Sequence, residues 1–99
     1  MEIRQLRYFA AVARTGSFSR AARECHVAQP SLSQQIIKLE EEVGERLFER
    51  TQRKALLTPA GSLLLPHAVR ILEAVRVGQQ EIREMGGQVR GPKGELNGL

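Results

Sequence analysis

Apolar positions Leu6, Phe9, Ala10 and Ala13 recur at spacings of three and four ahead of Thr15-Gly16. That pattern predicts an amphipathic helix from about Arg4 to Thr15, ended by glycine. Ser19 then reads as the cap of a short second helix, Arg20 to Cys25, whose Ala21 and Ala22 allow another helix to cross closely. After His26-Val27, Gln29-Pro30 opens a third helix with the apolar stripe Leu32, Ile36, Leu39 and Val43, and Gly44 stops it. The period then changes. Leu47-Phe48, a polar turn over residues 50–54 and Ala55-Leu56-Leu57 predict a short β-hairpin. Thr58-Pro59 starts a long fourth helix that runs to about Met85 with Pro66 and Gly78 inside it. Gly86-Gly87 and Gly91-Pro92-Lys93-Gly94 follow as a flexible stretch. The resulting division is 1–58 for a compact unit, 59–87 for the long helix and 88–99 for a hinge.

Composition narrows what such a unit can be. The chain has 99 residues, 41% hydrophobic and 26% charged, enough apolar matter for one small domain and too much for a disordered tail. Fifteen Lys and Arg against eleven acids, net +4, favour an anionic partner. The lone Cys25 permits no internal disulfide and no multi-thiolate metal site. The longest apolar run near the N-terminus, Phe9 to Ala13, is too short for a signal-peptide core or a membrane span, so a cytoplasmic protein with no membrane partner is expected.

Three features carry candidate chemistry. A short helix, a tight turn and a longer helix over residues 19–43 form the layout of DNA-binding helix-turn-helix units, in which the second helix enters the major groove. With Leu32, Ile36, Leu39 and Val43 facing inward, Pro30, Gln34, Ile37 and Lys38 lie opposite, flanked by Gln29, Ser31, Ser33 and Gln35. Amides can pair with adenine, hydroxyls with bases or phosphates, and Lys38 with a phosphate. A polar outer face on any surface helix is the plainer alternative. Second, three of the five residues 50–54 are basic, Arg50, Arg53 and Lys54. Such a loop can hold phosphates through Arg50 and Lys54 or place Arg53 in a narrow minor groove, although a solvated charged turn has the same composition. Third, Leu64, Ala68, Ile71, Val75, Gly78, Ile82 and Met85 step by four and three, a heptad seam suited to a second copy of the chain. Leu63, Leu65 and Leu72 flank it and are expected against the helix bundle, and packing of the seam within one chain is the alternative. A two-fold protein would read a two-fold site with half-sites spaced by whole DNA turns, roughly 34 Å or a multiple.

In order and spacing, Ala21-Ala22, Cys25, Ala28-Gln29-Pro30, Ser31-Leu32-Ser33, Gln35-Ile36, Leu39-Glu40 and Val43-Gly44 resemble the N-terminal region of the LysR-type transcriptional regulators. Leu47-Phe48, Arg50, Arg53, Leu57-Thr58 and Ala60-Gly61 continue the likeness, which covers about residues 1 to 90. The resemblance implies a mainly α fold: a winged helix-turn-helix of three helices plus a β-hairpin wing, followed by a long dimerisation helix. It implies base-reading positions at Gln29, Pro30, Ser33 and Gln34 and a minor-groove position at Arg53. It further implies homodimers, often tetramers when intact, on double-stranded promoter DNA. A small-molecule effector would act only through a C-terminal domain, with Gly94-Glu95-Leu96 as the start of its first strand, in a regulator about three times as long. Ala28, Cys25 and Gln34 depart from the family's common hydroxyl, Leu and Arg, and Gln34 would favour adenine over guanine.

Catalysis and metal binding find no support. His26 and His67 stand apart without a ligand array, the chain has no Asp, and neither a catalytic triad order nor a phosphate-cradling glycine loop is present. No cofactor is expected. The reading is therefore a homodimeric, nucleoid-associated reader of an interrupted palindrome, with Ser31, Lys38, Arg50 and Lys54 on phosphates. Its rival from another class is a winged-helix protein-interaction module that has lost DNA binding, for which only Ile37 on the outer face is suited.

Overall fold

The structure, a computed structural model, describes residues 1–51 and 54–89, without the side chains of Arg50 and residues 87–89. Its elements are α1 (Ile3–Thr15), α2 (Phe18–Glu24), α3 (Gln29–Val43), β1 (Phe48–Thr51), β2 (Lys54–Leu57) and α4 (Pro59–Val89). The mainly helical winged arrangement expected from the sequence is what forms. Gln52, Arg53, the greater part of the expected hinge and the expected strand start at Gly94-Glu95-Leu96 lie outside the described residues.

Leu6, Phe9 and Val12 of α1, Ala21 and Ala22 of α2, and Leu32, Ile36 and Leu39 of α3 are all buried in one core. The small alanines let α2 lie close against its neighbours, where a larger side chain would force the helices apart. Leu47, Phe48 and Ala55 close the core from the hairpin and Ala68 closes it from α4.

The second helix starts earlier than its sequence suggests. Ser17, rather than Ser19, is the cap: its hydroxyl accepts the Arg20 N–H at 3.1 Å. Phe18 accounts for the shift, because as the first helical residue it packs its ring edge-on to Phe48 at 5.6 Å. Cys25 becomes the C-cap rather than the last helical residue.

The turn to α3 is closed by Val27 N–H on the Ala22 carbonyl (3.0 Å) and His26 N–H on that of Arg23 (3.2 Å), the pair of bonds that ends many helices. It places His26 at φ 59°, in the left-handed region where a β-carbon is disfavoured. His26→Gly is accordingly expected to raise stability by about 0.5 to 1 kcal/mol, read as a higher urea midpoint at unchanged slope. A lower midpoint would show that the exposed imidazole contributes more than its backbone strain removes.

The hairpin is antiparallel with Phe48 opposite Leu57, Glu49 opposite Leu56 and Arg50 opposite Ala55. Phe48 and Ala55 face the core while Leu56 is exposed, the alternation a half-buried ribbon requires. Ala55 N–H bonds the Gly16 carbonyl at 3.1 Å and fastens the ribbon to the α1–α2 turn.

The long helix departs from the expected seam in its first half. Ala68 is 0% exposed and Leu64, Leu65 and Leu72 pack on the same core, so Ala68 cannot meet a partner chain. Leu63, expected against the bundle, is instead 76% exposed. The cause is helical phase: Gly61, Leu65, Ala68 and Leu72 share one stripe facing the bundle and rotate Leu63 outward. Farther along, Ile71, Ile82 and Met85 are exposed and Val75 is half-buried. Thirty-one residues make α4 about 46 Å long, and it continues past position 87.

Candidate nucleic-acid interface

The outer face of α3 begins at a proline-containing first turn after Ala28, which offers no side-chain cap. Gln29, Pro30, Ser31, Gln34 and Lys38 are exposed on it and Ser33 is half-buried, and residues 29–38 include no acid. The Gln29 Nε2 donates to Ser33 Oγ one helical turn on, at 2.9 Å. That bond uses one of the two amide N–H groups of Gln29 and leaves its second N–H and its oxygen for other partners.

Gln35, beside this face, does different work. Its amide oxygen accepts from Gln5 Nε2 at 3.2 Å, and Gln5 Oε1 accepts the Glu2 N–H at 3.0 Å. Gln5 is buried, so this amide chain fixes the rotation of α3 against α1. The last stripe position, Val43, is exposed rather than buried, because Glu40 takes the inward place near the helix end.

Glu40 is the residue that hydrophobic patterning misses. Its Oε2 accepts the N–H of Leu47 at 2.8 Å and of Phe48 at 3.4 Å, with the Arg46 guanidinium 3.9 Å away. On the other edge of the same segment, Thr58 Oγ1 donates to the Arg46 carbonyl at 2.6 Å and Thr58 N–H to that of Leu47 at 3.0 Å. Thr58 Oγ1 also accepts the Gly61 N–H at 3.0 Å, capping α4. The hairpin entrance is thus held by α3 on one side and by α4 on the other. The Leu39-Glu40 pair within the family-like pattern was the one signal pointing to it.

Of the hairpin's basic residues, Lys54 is described and exposed, opposite Thr51 at the end of the ladder. The side chain of Arg50, and Arg53 altogether, lie outside the described residues. Arg14 and Glu24 pair between α1 and α2, holding the carboxyl below and the guanidinium above their ordinary ranges; both are exposed and screened by solvent. Burial, followed by the Glu24 carboxylate, pushes the Cys25 thiol up. Its side chain is half-buried and packs against the core.

Beyond α3, Val43, Leu47, Ala60, Leu63 and Leu64 with Glu45 and His67 line an open depression of about 400 Å³ on the α4 side. Among the described residues no three His, Cys, Asp or Glu gather as metal ligands, and no helix is long and apolar enough to cross a membrane.

A short brace helix, a tight turn, an exposed acid-free second helix and a hairpin fastened to its end define a winged helix-turn-helix. Residues 3–62 match the family described as bacterial regulatory helix-turn-helix protein, lysR family, and the chain belongs to that family. It is 47% identical over 96 residues to the HTH-type transcriptional regulator TfdT of Cupriavidus pinatubonensis, covering 97% of this chain and 41% of that protein. It is 48% identical over 92 residues to the DNA-binding transcriptional dual regulator OxyR of Escherichia coli, covering 93% of this chain and 30% of that one. The chain therefore spans well under half the length of these relatives. Among solved structures, a BenM DNA-binding domain in complex with benA site 1 DNA matches with a TM-score of 0.79 at 41% identity, over 86% of this chain and 99% of that one. A CbnR DNA-binding domain–DNA complex matches with 0.79 at 42% identity, over 87% and 99%.

Proposed function

We propose that this chain is the DNA-binding part of a bacterial transcription regulator, reading double-stranded promoter DNA as a homodimer. The observation that carries the reading is the exposed, acid-free start of α3, with the Gln29 amide oriented by Ser33. Its remaining N–H and oxygen match the N7 acceptor and N6 donor of adenine in the major groove. Pro30, Ser33 and Gln34 complete the base-reading set, Ser31, Lys38, Arg50 and Lys54 hold phosphates, and Arg53 enters the minor groove. The BenM and CbnR domains that resemble this chain are described as complexes with DNA, which supports the same role here.

Dimerisation falls to the outer face of α4, where Leu63, Ile71, Ile82 and Met85 are exposed apolar residues without cover in the single chain. In a longer regulator the same helix would support a tetramer, and a small-molecule effector would bind through a further domain. The setting is the bacterial cytoplasm on the nucleoid. No catalytic step is assigned to the chain.

The test is selection from a random double-stranded DNA pool at two salt concentrations. Enrichment of an interrupted palindrome, with affinity falling steeply as salt rises, is the expected result. Gln29→Ala should then relax preference at one position per half-site, a discrimination loss of about 1 to 3 kcal/mol, with little change on random DNA. Equal losses on specific and random DNA would remove Gln29 from the base-reading set. Absence of any enrichment would favour a protein-interaction module.

A further inference from the structure

Position 40 falls four residues after Ile36 and eight after Leu32, on the stripe of α3 that faces the core. An apolar side chain would fill such a place with no desolvation penalty, yet the residue is a carboxylate only 7% exposed. What it does there is specific. One oxygen, Oε2, accepts two successive backbone N–H groups, Leu47 and Phe48, where the chain enters β1. The same residue's backbone carbonyl accepts from Gly44 at 2.8 Å and Glu45 at 3.2 Å, ending the helix. Glu40 therefore closes α3 with its backbone and fastens the hairpin with its side chain. Thr58 grips the opposite edge of that segment, so the hairpin entrance has little freedom to tilt relative to α3.

We propose that Glu40 is a positioning residue for DNA recognition: it fixes the reach of the hairpin relative to the reading helix, so that both engage one duplex together. This rests on the DNA-reading function proposed above. It assigns Glu40 no contact with DNA. Its length matters more than its charge, because the two N–H groups need an acceptor at that distance from α3.

Two variants separate length from charge. Glu40→Gln keeps an acceptor oxygen at the same reach, whereas Glu40→Asp keeps the charge and draws the acceptor back by one methylene. Each is titrated with the selected DNA site across a salt series, at a temperature where circular dichroism shows it folded. Glu40→Gln is expected to bind within about threefold of wild type with the same salt slope, since hydrogen-bond acceptance is retained. Glu40→Asp is expected to lose about tenfold and to show a slope shallower by about 1 to 2, as hairpin cations leave their phosphates. Base preference at the α3 positions should persist in both. A purely structural Glu40 would lower the melting temperature and leave the slope of the folded protein unchanged; that result overturns the proposal.

Hydrogen exchange on the wild-type chain provides a measurement that needs no variant. DNA should further slow exchange at the Leu47 and Phe48 amides, and no added protection there counts against the strut. If wild type binds no DNA at all, the DNA-reading function itself has failed. If wild type binds and the Asp variant keeps its slope, only the strut has.

Discussion

Gly61→Ala should lower the stability of the folded chain by about 3 kcal/mol, although alanine is the better helix former by about 1 kcal/mol. Gly61 lies in the first turn of α4, buried, with its N–H on the Thr58 hydroxyl. A β-carbon built there overlaps the Leu47 carbonyl oxygen and comes within 2.8 Å of Leu57 Cδ2. The Leu57 methyl can turn aside, but the Leu47 carbonyl cannot, because it accepts the Thr58 N–H at 3.0 Å and belongs to the segment held by Glu40. Relief requires α4 to move away from the hairpin, which opens the core around Leu47 and Ala68. Gly78→Ala is the internal control. No atom lies within 4 Å of a β-carbon at that exposed position, so the same substitution should add up to about 1 kcal/mol there. Urea unfolding of both variants gives the comparison. Equal gains would show that α4 and the hairpin do not approach as closely as the structure has them.

These residues mark where sequence reasoning succeeds and where it stops. The helices α1 and α3 were legible because Leu6 and Phe9, or Leu32, Ile36 and Leu39, repeat at the helical period, and Gly16 and Gly44 end them in the left-handed conformation. The hairpin was legible from the break in that period and its polar tip. The start of α2 was not, since Ser17 and Ser19 are equally good caps locally and only the packing of Phe18 on Phe48 chooses between them. Along α4 the seam through Leu64 and Ala68 was a true apolar stripe, but a stripe does not say whether its partner is the same chain or another. The bundle covers the first half and leaves Ile71, Ile82 and Met85 exposed. Thr58 was legible as the start of α4 but not in its hold on the Arg46 carbonyl, and Glu40 and Gln5 carried no apolar signal, because their partners at Leu47, Phe48 and Gln35 are distant in sequence.

On the candidate interface, residue type gave the chemistry and the fold gave the grouping. Gln29 and Ser33 stand in the sequence as an amide and a hydroxyl on an outward face. Their mutual hydrogen bond adds that they act as one unit, with the Gln29 amide turned by Ser33. Gln35 has the same chemistry six residues along, but its bond to Gln5 ties it to α1. Identical side chains on one helix thus divide between an exposed pair and a bond to α1, and only their partners distinguish them.

Phe48→Ala is expected to be the most damaging single truncation, a loss of about 4 kcal/mol. Its side chain is 0% exposed, with ring centroids 5.4 Å from Phe9 of α1 and 5.6 Å from Phe18 of α2. These tilted and edge-on contacts add to plain burial, by about 0.5 to 1.5 kcal/mol per aromatic pair. The cavity left between two helices and a hairpin cannot collapse easily, because the backbone on either side is fixed by Glu40 and by pairing with Leu57. Against a total stability of about 5 to 15 kcal/mol for a domain, such a loss leaves a large unfolded fraction at physiological temperature. Phe48→Leu should recover most of it, within about 1.5 kcal/mol of wild type, because the volume is largely kept. Denaturant midpoints of both variants decide the matter, and a Phe48→Ala loss below about 1 kcal/mol would mean that the hairpin is an appendage. A loss near the expected size would mean that the wing is part of the core. The hairpin entrance then shares a foundation with α3, and any weakening of that foundation reaches both at once.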